Sequence, residues 1–431
     1  MLDKDPLELS SDFKNALDLI ENEGKHLFIT GRAGTGKSTL LQLFRNTTKK
    51  KTVVLAPTGI AALNVKGQTI HSFFGFPPKP LEPHEIKKRR KRSLYKKMEL
   101  LIIDEISMVR ADLLDNIDRF LRINREIPLP FGGVQVVFFG DLFQLPPVVA
   151  SEVEAMKFQF QYESPYFFSS FVISEGFPIE MLELRKVYRQ DSRHFLRLLE
   201  AVRLNRIDFE DLEEFNERYL PNFQAEDFYI TLSARNATAN RINNKELGQL
   251  ETQEKVYLAT VSGIFKETLY PTEAALKLKV DAQVMFIKND PEKKYVNGTI
   301  GKVKSLHPDL IKVEVEENSG LRRIIEVERM EWEIVKYMED EKDAKRIKTE
   351  TLGTFRQFPL KLAWAITIHK SQGKTFDKVI IDLGRGAFEH GQTYVALSRC
   401  RTLEGIVLKQ RLQGKDIMTD ERVVQFYEQS F

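Results

Sequence analysis

The sequence predicts an α/β protein with two lobes, in each of which helices cover a parallel β-sheet. Apolar runs of strand length alternate with helical patterns from about residue 26 to 145. One of these runs leads into a glycine-rich loop and then a helix, and another ends in two adjacent carboxylates. The alternation resumes after a stretch of short strands at 253–349, which we interpret as an insertion into the second lobe.

The composition indicates an intracellular protein that can tolerate a polyanionic partner. The chain has 431 residues, enough for roughly three domains. A net charge of +3 and a pI of about 8.6 permit such a partner without establishing one. Cys400 is the only cysteine, which excludes an internal disulfide and fits a reducing compartment. No segment resembles a signal peptide or a membrane span, so we expect a cytoplasmic protein of bacterial type or a nuclear protein, without a membrane partner.

A glycine-rich loop, Gly31–Ser38, follows the apolar run His26–Thr30 and precedes a helical pattern. Its G-x-x-x-x-G-K-S spacing predicts a loop whose backbone N–H groups surround the phosphates of a nucleotide. Lys37 is placed to reach the β- and γ-phosphates, and the Ser38 hydroxyl to bind Mg²⁺. The helix that follows adds a favourable field for anions. The residues predicted to bind the nucleotide here are Gly31, Ala33, Gly34, Thr35, Gly36, Lys37, Ser38 and Thr39.

Two adjacent carboxylates, Asp104 and Glu105, end the apolar run 100–103. A buried parallel strand is expected to be continuously apolar, and ligands of α/β sheets bind at its carboxyl end. Asp104 is placed to hold Mg²⁺ through water, and Glu105 to orient or deprotonate the attacking water. A glycine loop or a carboxylate pair alone is often a chance turn or a solvated strand end. Their order and context together predict an enzyme that hydrolyses a nucleoside triphosphate.

A third segment, 140–148, follows another apolar strand at the same predicted sheet edge. Gln144 is suited to sense the γ-phosphate, because its amide forms hydrogen bonds without acting as a base; the alternative is a proline-rich loop. Arg189 and Arg399 lie in the predicted second lobe, and an inserted arginine stabilises charge in phosphoryl transfer. Taken singly, each is more often part of a surface ion pair. If both contact the nucleotide, it lies between the lobes, and hydrolysis opens and closes the cleft.

The pattern of strand-like and helical segments divides the chain into three parts. They are a first lobe at 1–178, a β-rich insertion at 253–349, and a second lobe at 179–252 and 350–431. Residues 73–99 interrupt the strand–helix alternation of the first lobe and contain the basic run Lys87–Arg92. This run is either a solvated face or a contact to nucleic-acid phosphates.

These motifs together resemble those of superfamily-one helicases, and most closely the petite-integration-frequency (Pif) helicases of the RecD-like branch. The resemblance covers residues from about 20 to 410. The segments on which it rests are 31–39, 56–62, 69–73, 104–108, 140–147, 184–190, 367–375 and 394–401. Such a series of motifs in order is far more specific than a phosphate-binding loop alone.

The resemblance implies two RecA-like P-loop NTPase lobes, a small wedge domain at 73–99 and an insertion similar to a Src-homology-three barrel. It implies ATP and Mg²⁺ as cofactors, adds Gly373 to the nucleotide site, and assigns Gln144, Arg189 and Arg399 as γ-phosphate sensor and arginine fingers. Similar helicases translocate 5′ to 3′ on single-stranded DNA and unwind duplexes. The residues that match their DNA contacts are Pro57, Thr58, His71, Ser72, Phe73, Pro147, Thr367, His369 and Ser371.

The partners implied by the resemblance are single-stranded DNA, forked or 5′-tailed duplex and, as for many similar helicases, G-quadruplex DNA. It also implies a monomer with roles in DNA repair, recombination and telomere maintenance. One alternative is an NTPase that remodels protein–DNA complexes without unwinding, because it would share every motif. Another is a guanine-nucleotide switch, but the nearest match to its Asn-Lys-x-Asp element, at 244–247, lacks the aspartate.

The base of the nucleotide is the least determined part of the predicted site. Related helicases read adenine with a glutamine upstream of the phosphate-binding loop. Residues 1–30 contain no glutamine, and Asn15 is only a weak substitute. A looser preference among nucleoside triphosphates is therefore our hypothesis.

Overall fold

The structure, a computed structural model, describes residues 10–77, 79–149, 152–190, 192–317, 320–340 and 347–430. This part of the chain forms two α/β lobes and a β-rich insertion that interrupts the second lobe. Among the described residues, no helix combines the length and the apolar character that a membrane span requires.

The first lobe is built around a six-stranded parallel sheet of order β3-β2-β4-β5-β1-β6. Its strands are β1 (His26–Gly31), β2 (Thr52–Ala56), β3 (Gln68–Thr69), β4 (Leu100–Ile103), β5 (Gln135–Phe139) and β6 (Ile179–Leu184). Its helices are α1 (Ser11–Glu21), α2 (Lys37–Thr47), α3 (Gly59–Asn64), α4 (Ile70–Phe74), α5 (Ser93–Lys97), α6 (Ala111–Arg125), α7 (Glu152–Gln161) and α8 (Phe171–Ser174). Every residue of β4 and β5 is buried, because both faces of the sheet are covered. Phe28 packs into one hydrophobic cluster and its neighbour Leu27 into another.

Strand β6 corrects the predicted boundary between the lobes. The sequence pattern predicted that the first lobe ends at residue 178. Strand β6, however, pairs in parallel with β1 along its whole length, with Met181 beside Phe28. The first lobe therefore extends through Leu184. A pattern of alternating strands and helices identifies a strand but not the sheet that it joins, because the pairing depends on contacts across more than a hundred residues.

The predicted wedge, 73–99, consists of the end of α4, a short 3₁₀ turn at Pro83–Glu85 and α5. Its aromatic side chains pack against Phe120 of α6, with ring centroids 5.1 Å away for Phe74 and 4.9 Å for Tyr95. The segment thus shares the hydrophobic core of the first lobe.

The basic run of this segment is partly neutralised within the protein. Glu126 accepts ion pairs from Lys88, Arg92 at 2.9 Å and Lys96 at 2.6 Å. These cations lower the pKa of Glu126, chiefly through the hydrogen bond from Lys96. Of the two interpretations of the run, a solvated face with internal partners therefore accounts for Lys88 and Arg92.

The second lobe has a four-stranded parallel sheet of order β18-β7-β19-β20. Before the insertion it contains α9 (Arg193–Arg203), α10 (Phe209–Asn216), β7 (Ile230–Ser233) and α11 (Asn236–Gln249). The strands of the insertion are β8 (Lys255–Leu258), β9 (Thr260–Gly263), β10 (Ala275–Leu278), β11 (Gln283–Phe286), β12 (Ile300–Leu306), β13 (Ile311–Glu316), β14 (Arg322–Val327), β15 (Met330–Glu339), β16 (Ile347–Gln357) and β17 (Leu360–Leu362). After it follow β18 (Ala365–Thr367), α12 (Ile368–Ser371), β19 (Val379–Asp382), α13 (Gln392–Leu397), β20 (Ile406–Leu408) and α14 (Glu421–Ser430).

The insertion is longer than predicted. It runs from β8 to β17 and so ends at Leu362 rather than at 349, because β16 pairs with β15 and β9, and β17 pairs with β11. Its main sheet is antiparallel, of order β14-β13-β12-β11-β17, and β13 alternates buried and half-buried residues as a one-sided strand should. Val284, Val303 and Val313 belong to its own hydrophobic core.

The hairpin of β15 and β16 reaches from the insertion to the first lobe. The Tyr337 hydroxyl accepts a hydrogen bond from the Val54 N–H of β2 at 3.0 Å, and the Tyr337 N–H donates to Gln68 Oε1 at 3.2 Å. Lys97 and Glu339 form an ion pair of 2.5 Å beside it. The hairpin thereby supplies partners to polar groups at the β2–β3 edge of the first-lobe sheet.

We predict that Tyr337→Phe lowers the free energy of unfolding by about 1–3 kcal/mol, because the buried Val54 N–H loses its partner while the ring remains. Chemical denaturation measures this. Tyr270→Phe is the control, since it retains a ring that packs on Phe355 in the same insertion. Equal stabilities of the two variants would contradict the assigned role of the Tyr337 hydroxyl.

Candidate nucleotide and DNA sites

The phosphate-binding loop connects β1 to α2, as predicted. Gly34 and Gly36 adopt left-handed backbone conformations, with φ of +87° and +85°. A Cβ atom on Gly34 would lie 2.5 Å from Cβ of Arg189, so the close approach of the arginine requires glycine here. Gly36 is the N-cap of α2 and Lys37 its first residue, which directs the free N–H groups of the helix toward the loop.

Lys37 is held inside the loop by backbone carbonyls. Its Nζ donates hydrogen bonds to Gly31 O at 2.5 Å and to Arg32 O at 3.1 Å. Burial lowers the pKa of Lys37, and the negative charges of Asp141 and Glu105 oppose this shift. The ammonium group is therefore poorly solvated, and phosphate oxygens are the partners that would replace its water.

Asp104 and Glu105 lie where β4 ends, beside the loop. Burial, followed by repulsion from Glu105, raises the pKa of Asp104 to about 7, and burial raises the pKa of Glu105. Glu105 has a φ of +53°, an uncommon conformation for a non-glycine residue. The backbone thus turns directly after Asp104, which brings Glu105 into the lining of the site.

The oxygen ligands that Asp104 and Ser38 offer are of the kind that binds Mg²⁺. Among the described residues no group of three or more His, Cys, Asp or Glu side chains could hold a metal ion by itself. Mg²⁺ commonly binds through one or two protein oxygens together with substrate phosphates and water. The Ser38 hydroxyl and the desolvated Asp104 carboxylate supply oxygens of this kind.

Gln144 lies at the contact between the lobes. Its Nε2 donates to Asp141 Oδ2 at 3.1 Å, and Gln372 of the second lobe donates to its Oε1 at 3.4 Å. Gly391, with a φ of +72°, approaches so closely that a Cβ atom there would lie 2.2 Å from Gln144 O. The structure therefore places the predicted sensor where both lobes contact it.

Arg203 of α9 is a residue that the sequence analysis missed. It is completely buried, with its guanidinium 3.6 Å from Asp141 and 4.1 Å from the Phe143 ring centroid. The ring of Tyr427 in α14 lies 4.9 Å from the same guanidinium. An arginine in an amphipathic helix carries no distinguishing pattern, so only the folded contacts identify this support of the Asp141–Gln144 pair.

The two predicted arginine fingers both border the cleft. Arg189 Nη1 donates to Ser398 O at 3.1 Å, and burial lowers its pKa well below the usual value. Burial lowers the pKa of Arg399 to about 10, and its Nε donates to Val395 O at 2.9 Å. The prediction placed both in the second lobe. Arg189 instead lies in the connection that follows β6, where the Tyr188 N–H donates to Gly34 O at 2.9 Å.

These side chains line one cavity of about 450 Å³ between the lobes. The predicted residues that it brings together are Ala33, Gly34, Thr35, Gly36, Lys37, Ser38, Thr39, Glu105, Gln144, Arg189, Gly373 and Arg399. Gly31 and Asp104 are not part of its lining. Gly31 instead contributes the carbonyl that holds Lys37.

Two aromatic residues, Phe13 and Tyr188, line the end of this cavity beside Gly36. Tyr188 is half exposed, and Lys186 Nζ lies 5.1 Å from its ring centroid. Ser10 is the polar side chain on this side of the lining, and it caps α1. The segment before the phosphate-binding loop thus contributes an aromatic ring, that of Phe13, where related helicases have a glutamine amide. The signal that could have indicated this was Phe13 on the buried face of an amphipathic helix.

Several of the predicted DNA contacts follow the ends of β2 and β3 in the first lobe and of β18 in the second. Thr58 follows β2, and His71 and Ser72 follow β3, which neighbour each other in the first-lobe sheet. In the second lobe His369 follows β18 and its Nε2 lies 2.9 Å from Glu389. Thr367 accepts a hydrogen bond from the Lys370 N–H, as Thr58 does from that of Ala61. Thr58 and Thr367 therefore cap α3 and α12, the helices that follow β2 and β18.

Four of the predicted DNA contacts, Phe73, Pro147, Thr367 and Ser371, are buried, which corrects their assignment. Phe73 packs against Phe74 and Tyr95 in the first-lobe core, so its face is not available to stack on a base. Ser371 is fully buried and donates to Ile368 O at 2.6 Å. Pro147 is also buried. The same residue types occur in protein cores and on surfaces. The motif alone therefore could not show which of these residues are buried and which are exposed.

Comparisons with known proteins agree with this architecture. A sequence profile described as PIF1-like helicase matches residues 8–213. The chain is 34% identical to the ATP-dependent DNA helicase Pif1 of Bdellovibrio bacteriovorus, over 98% of this chain and 92% of that protein. It is 34% identical to human ATP-dependent DNA helicase PIF1, over 94% of this chain and 61% of that protein.

Solved structures give the same result. Pif1 from a Bacteroides species in complex with ADP-AlF4 is 40% identical and superposes with a TM-score of 0.90, covering 98% of this chain and 96% of that one. Bacteroides Pif1 bound to single-stranded DNA is 39% identical and superposes with a TM-score of 0.67 at the same coverage.

The two lobes and the cleft between them define a P-loop nucleoside triphosphatase with RecA-like lobes. Its sequence and structure match those of Pif1 helicases over almost the whole chain. The chain therefore belongs to the Pif1-like helicase family. It spans about three fifths of the curated eukaryotic relatives that it matches, with shares of 58, 63 and 62% for the zebrafish, Emericella and yeast proteins.

We predict that Gly391→Ala slows nucleotide hydrolysis by roughly ten- to hundredfold, because the added Cβ displaces Gln144 from the cleft. Steady-state hydrolysis with saturating DNA measures the loss. The matched control is Gly414→Ala, whose Cβ meets no atom within 4 Å. Thermal melts of both variants separate a local shift from unfolding. An unchanged rate for Gly391→Ala would contradict the contact.

The raised pKa of Asp104 predicts a specific pH dependence. Below its pKa of about 7 the carboxyl is protonated and cannot hold Mg²⁺. The Mg²⁺ concentration for half-maximal hydrolysis should therefore rise by up to about tenfold per pH unit from pH 7 to 6, and change little above pH 8. Saturating Mg²⁺ should restore the rate at pH 6.5. A loss at low pH that Mg²⁺ does not reverse would exclude Asp104 as its cause.

Proposed function

We propose that this protein is an ATP-dependent DNA helicase that translocates 5′ to 3′ on single-stranded DNA and unwinds duplex DNA ahead of it. The observation that carries the proposal is the cleft, in which the phosphate-binding loop of one lobe faces Arg399 of the other. A site divided in this way is complete only when the lobes close. The names of the relatives, ATP-dependent DNA helicases, support the same activity.

The residues of the cleft can account for hydrolysis. Lys37 binds the β- and γ-phosphates, and Arg189 and Arg399 stabilise the charge that develops on the γ-phosphate. Glu105, whose pKa is raised by burial, is suited to take a proton from the attacking water. Ser38 and Asp104 would hold Mg²⁺, which supplies additional positive charge to the phosphates when it is bound.

The contacts across the cleft can couple hydrolysis to movement. Ala33 of the loop donates its N–H to the Tyr394 hydroxyl at 3.2 Å, and Gln144 accepts from Gln372. Both bonds join the first lobe to the second. Because a γ-phosphate competes for the same groups, its arrival and loss can change how the lobes are held together.

Single-stranded DNA is the partner that the strand-end residues fit. Thr58, Ser72 and His369 can donate hydrogen bonds to phosphates without reading bases, which suits a motor that moves along any sequence. Bacteroides Pif1 has been crystallised with single-stranded DNA, and two Pif1 helicases have been described as coordinating at forked duplex DNA. For this chain we propose single-stranded and 5′-tailed or forked DNA as substrates, G-quadruplex DNA as a further one, and a monomer as the basic unit.

The decisive test compares strand displacement from duplexes with a 5′ or a 3′ single-stranded tail. We expect ATP-dependent displacement from the 5′-tailed duplex alone, because polarity is fixed by which lobe leads. Lys37→Ala should displace neither strand, and it controls for a contaminating helicase. DNA-stimulated hydrolysis without displacement would contradict the proposal and favour a remodelling NTPase.

A further inference from the structure

A groove of about 400 Å³ lies on the first lobe, between helices α6, α7 and α8 and the segment 80–83 of the predicted wedge. We call it the aromatic groove, because the rings of Phe158, Tyr162 and Phe171 line it. Of the described residues, none lines both this groove and the nucleotide cavity, and none of the predicted DNA contacts lines it. The groove is therefore a separate feature that neither hydrolysis nor DNA binding explains.

The three rings form a row that runs from the core to the surface. The ring centroids of Phe158 and Tyr162 are 5.3 Å apart, and those of Tyr162 and Phe171 are 4.9 Å apart. Phe158 is buried, whereas Phe171 is half exposed. Leu81 and Pro83 add further apolar surface. A row of aromatic rings that ends at the surface provides an anchor of the kind found at the centre of protein interfaces.

Carboxylates surround this apolar surface. The groove is also lined by two guanidinium groups, those of Arg119 and Arg122, and by six carboxylates, those of Glu82, Asp112, Asp115, Asp118, Glu154 and Glu175. Even with Arg110, which pairs with two of these carboxylates, negative charges outnumber positive ones here, although the net charge of the chain is +3. The groove therefore attracts cationic groups and repels the phosphates of DNA.

An arginine of the protein itself already occupies the inner end of the row. The Arg110 guanidinium carbon lies 5.2 Å from the Phe158 ring centroid. Its Nε and Nη2 donate to the two carboxylate oxygens of Asp112 at 2.9 and 2.7 Å, and its Nη1 lies 3.4 Å from Glu154. The groove thus contains an observed mode of arginine binding, in which a ring contacts the guanidinium and carboxylates accept its N–H groups.

The outer end of the row offers the same two kinds of group, and its carboxylate has no ion-pair partner. Glu175 N donates to Phe171 O at 2.9 Å, so the two side chains lie four residues apart on one face of a helical turn. Glu175 is exposed and forms no ion pair with any residue in the described part of the chain. A guanidinium supplied from outside would therefore meet a ring and an unpaired carboxylate there.

Asp115 fixes the outer end of the row in position. Its carboxylate oxygens accept the N–H groups of Phe171 and Val172, each at 3.0 Å, and the Tyr162 hydroxyl is a further donor. Burial raises the pKa of Asp115, while these hydrogen bonds oppose the shift. Because one carboxylate holds both rings, the groove is formed before a ligand binds, which lowers the entropic cost of binding.

We propose that the aromatic groove is a docking surface for a partner protein, which binds through a segment that carries an arginine beside an apolar side chain. The arginine lies over Phe171 and pairs with Glu175, and the apolar side chain contacts Tyr162 and Leu81. The charge of the lining excludes a nucleic acid as the occupant, and a linear polyamine has the charge but no side chain to fill the groove. The inference does not depend on the proposed function, since the groove shares no lining residue with the nucleotide cavity.

The first test measures the fluorescence anisotropy of short fluorescein-labelled peptides that are titrated with the full chain at low salt. The peptides carry two arginines and one leucine at different spacings. We expect at least one spacing to bind saturably, with a dissociation constant on the order of 10–100 μM. Replacing its arginines with citrulline, which removes the charge, or its leucine with serine should each weaken binding about tenfold. No saturable binding by any of the peptides up to roughly 1 mM would overturn the proposal.

Variants of the chain locate the binding site. Phe171→Ala and Glu175→Gln should each weaken binding of the best peptide about fivefold or more. The matched controls are Phe209→Ala and Glu210→Gln, which change exposed residues at the start of α10, outside the groove, and should bind as the wild type does. Equal affinities of groove variants and controls would overturn the proposal. Glu175→Gln changes only an exposed group, so it decides the question even if Phe171→Ala lowers stability.

Two further measurements identify the chemistry of the occupant. Spermidine should not displace the best peptide at the concentration at which unlabelled peptide displaces half of it. Glu175→Gln should bind a labelled oligo-dT, and hydrolyse ATP in its presence, as the wild type does. Displacement by spermidine, or equal binding of the serine peptide, would assign the groove to small cations and overturn the docking surface. A fall in oligo-dT affinity would assign the groove to DNA and overturn it as well.

The outcomes also distinguish this inference from the proposed function. Failure of strand displacement would overturn the proposed function and leave peptide binding as it is. Failure of peptide binding would overturn only the docking surface.

Discussion

Cations buried without sufficient counter-charge are the constraint on which this cleft depends. Lys37, Arg189 and Arg399 all have lowered pKa values because the fold has removed their water. Within the described part of the chain, Arg189 Nε has no hydrogen-bond partner. Such an arrangement costs stability unless a strongly anionic ligand compensates it, and a triphosphate carries that charge. The neighbouring carboxylates, Asp104 and Glu105, lack sufficient positive charge around them, and a divalent cation would supply it.

The sequence was sufficient for the parts of the site that are local in the chain. The strand, loop and helix around Lys37 and the strand that ends at Asp104 were confirmed, because glycine spacing and continuous apolar runs determine them within about fifteen residues. The family and its two RecA-like lobes were also identified correctly. Local patterns located these loops correctly because each of them lies directly after a strand.

Features that depend on distant packing were missed or misplaced. The membership of β6 in the first sheet, the extension of the insertion to Leu362 and the burial of Phe73 all depend on partners far away in sequence. Arg203 and Gly391 carry no pattern that distinguishes them from ordinary helix and loop residues. Their roles are visible only once α9, α14 and the segment around Gln144 are placed together.

Helix α14 shows how the lobes can move. Its Phe426 stacks on Phe168 of the first lobe at 4.4 Å, and the Tyr427 hydroxyl donates to Glu183 of β6 at 2.7 Å. Tyr427 also contacts Arg203 of the second lobe, so a rotation of the proposed lobes against each other would have α14 as its hinge. Strand β3, after which His71 lies, is at the opposite edge of the sheet, five strand spacings or about 24 Å from β6. A small rotation at Gln144, near this hinge, would therefore produce a larger displacement at His71, one of the proposed DNA contacts.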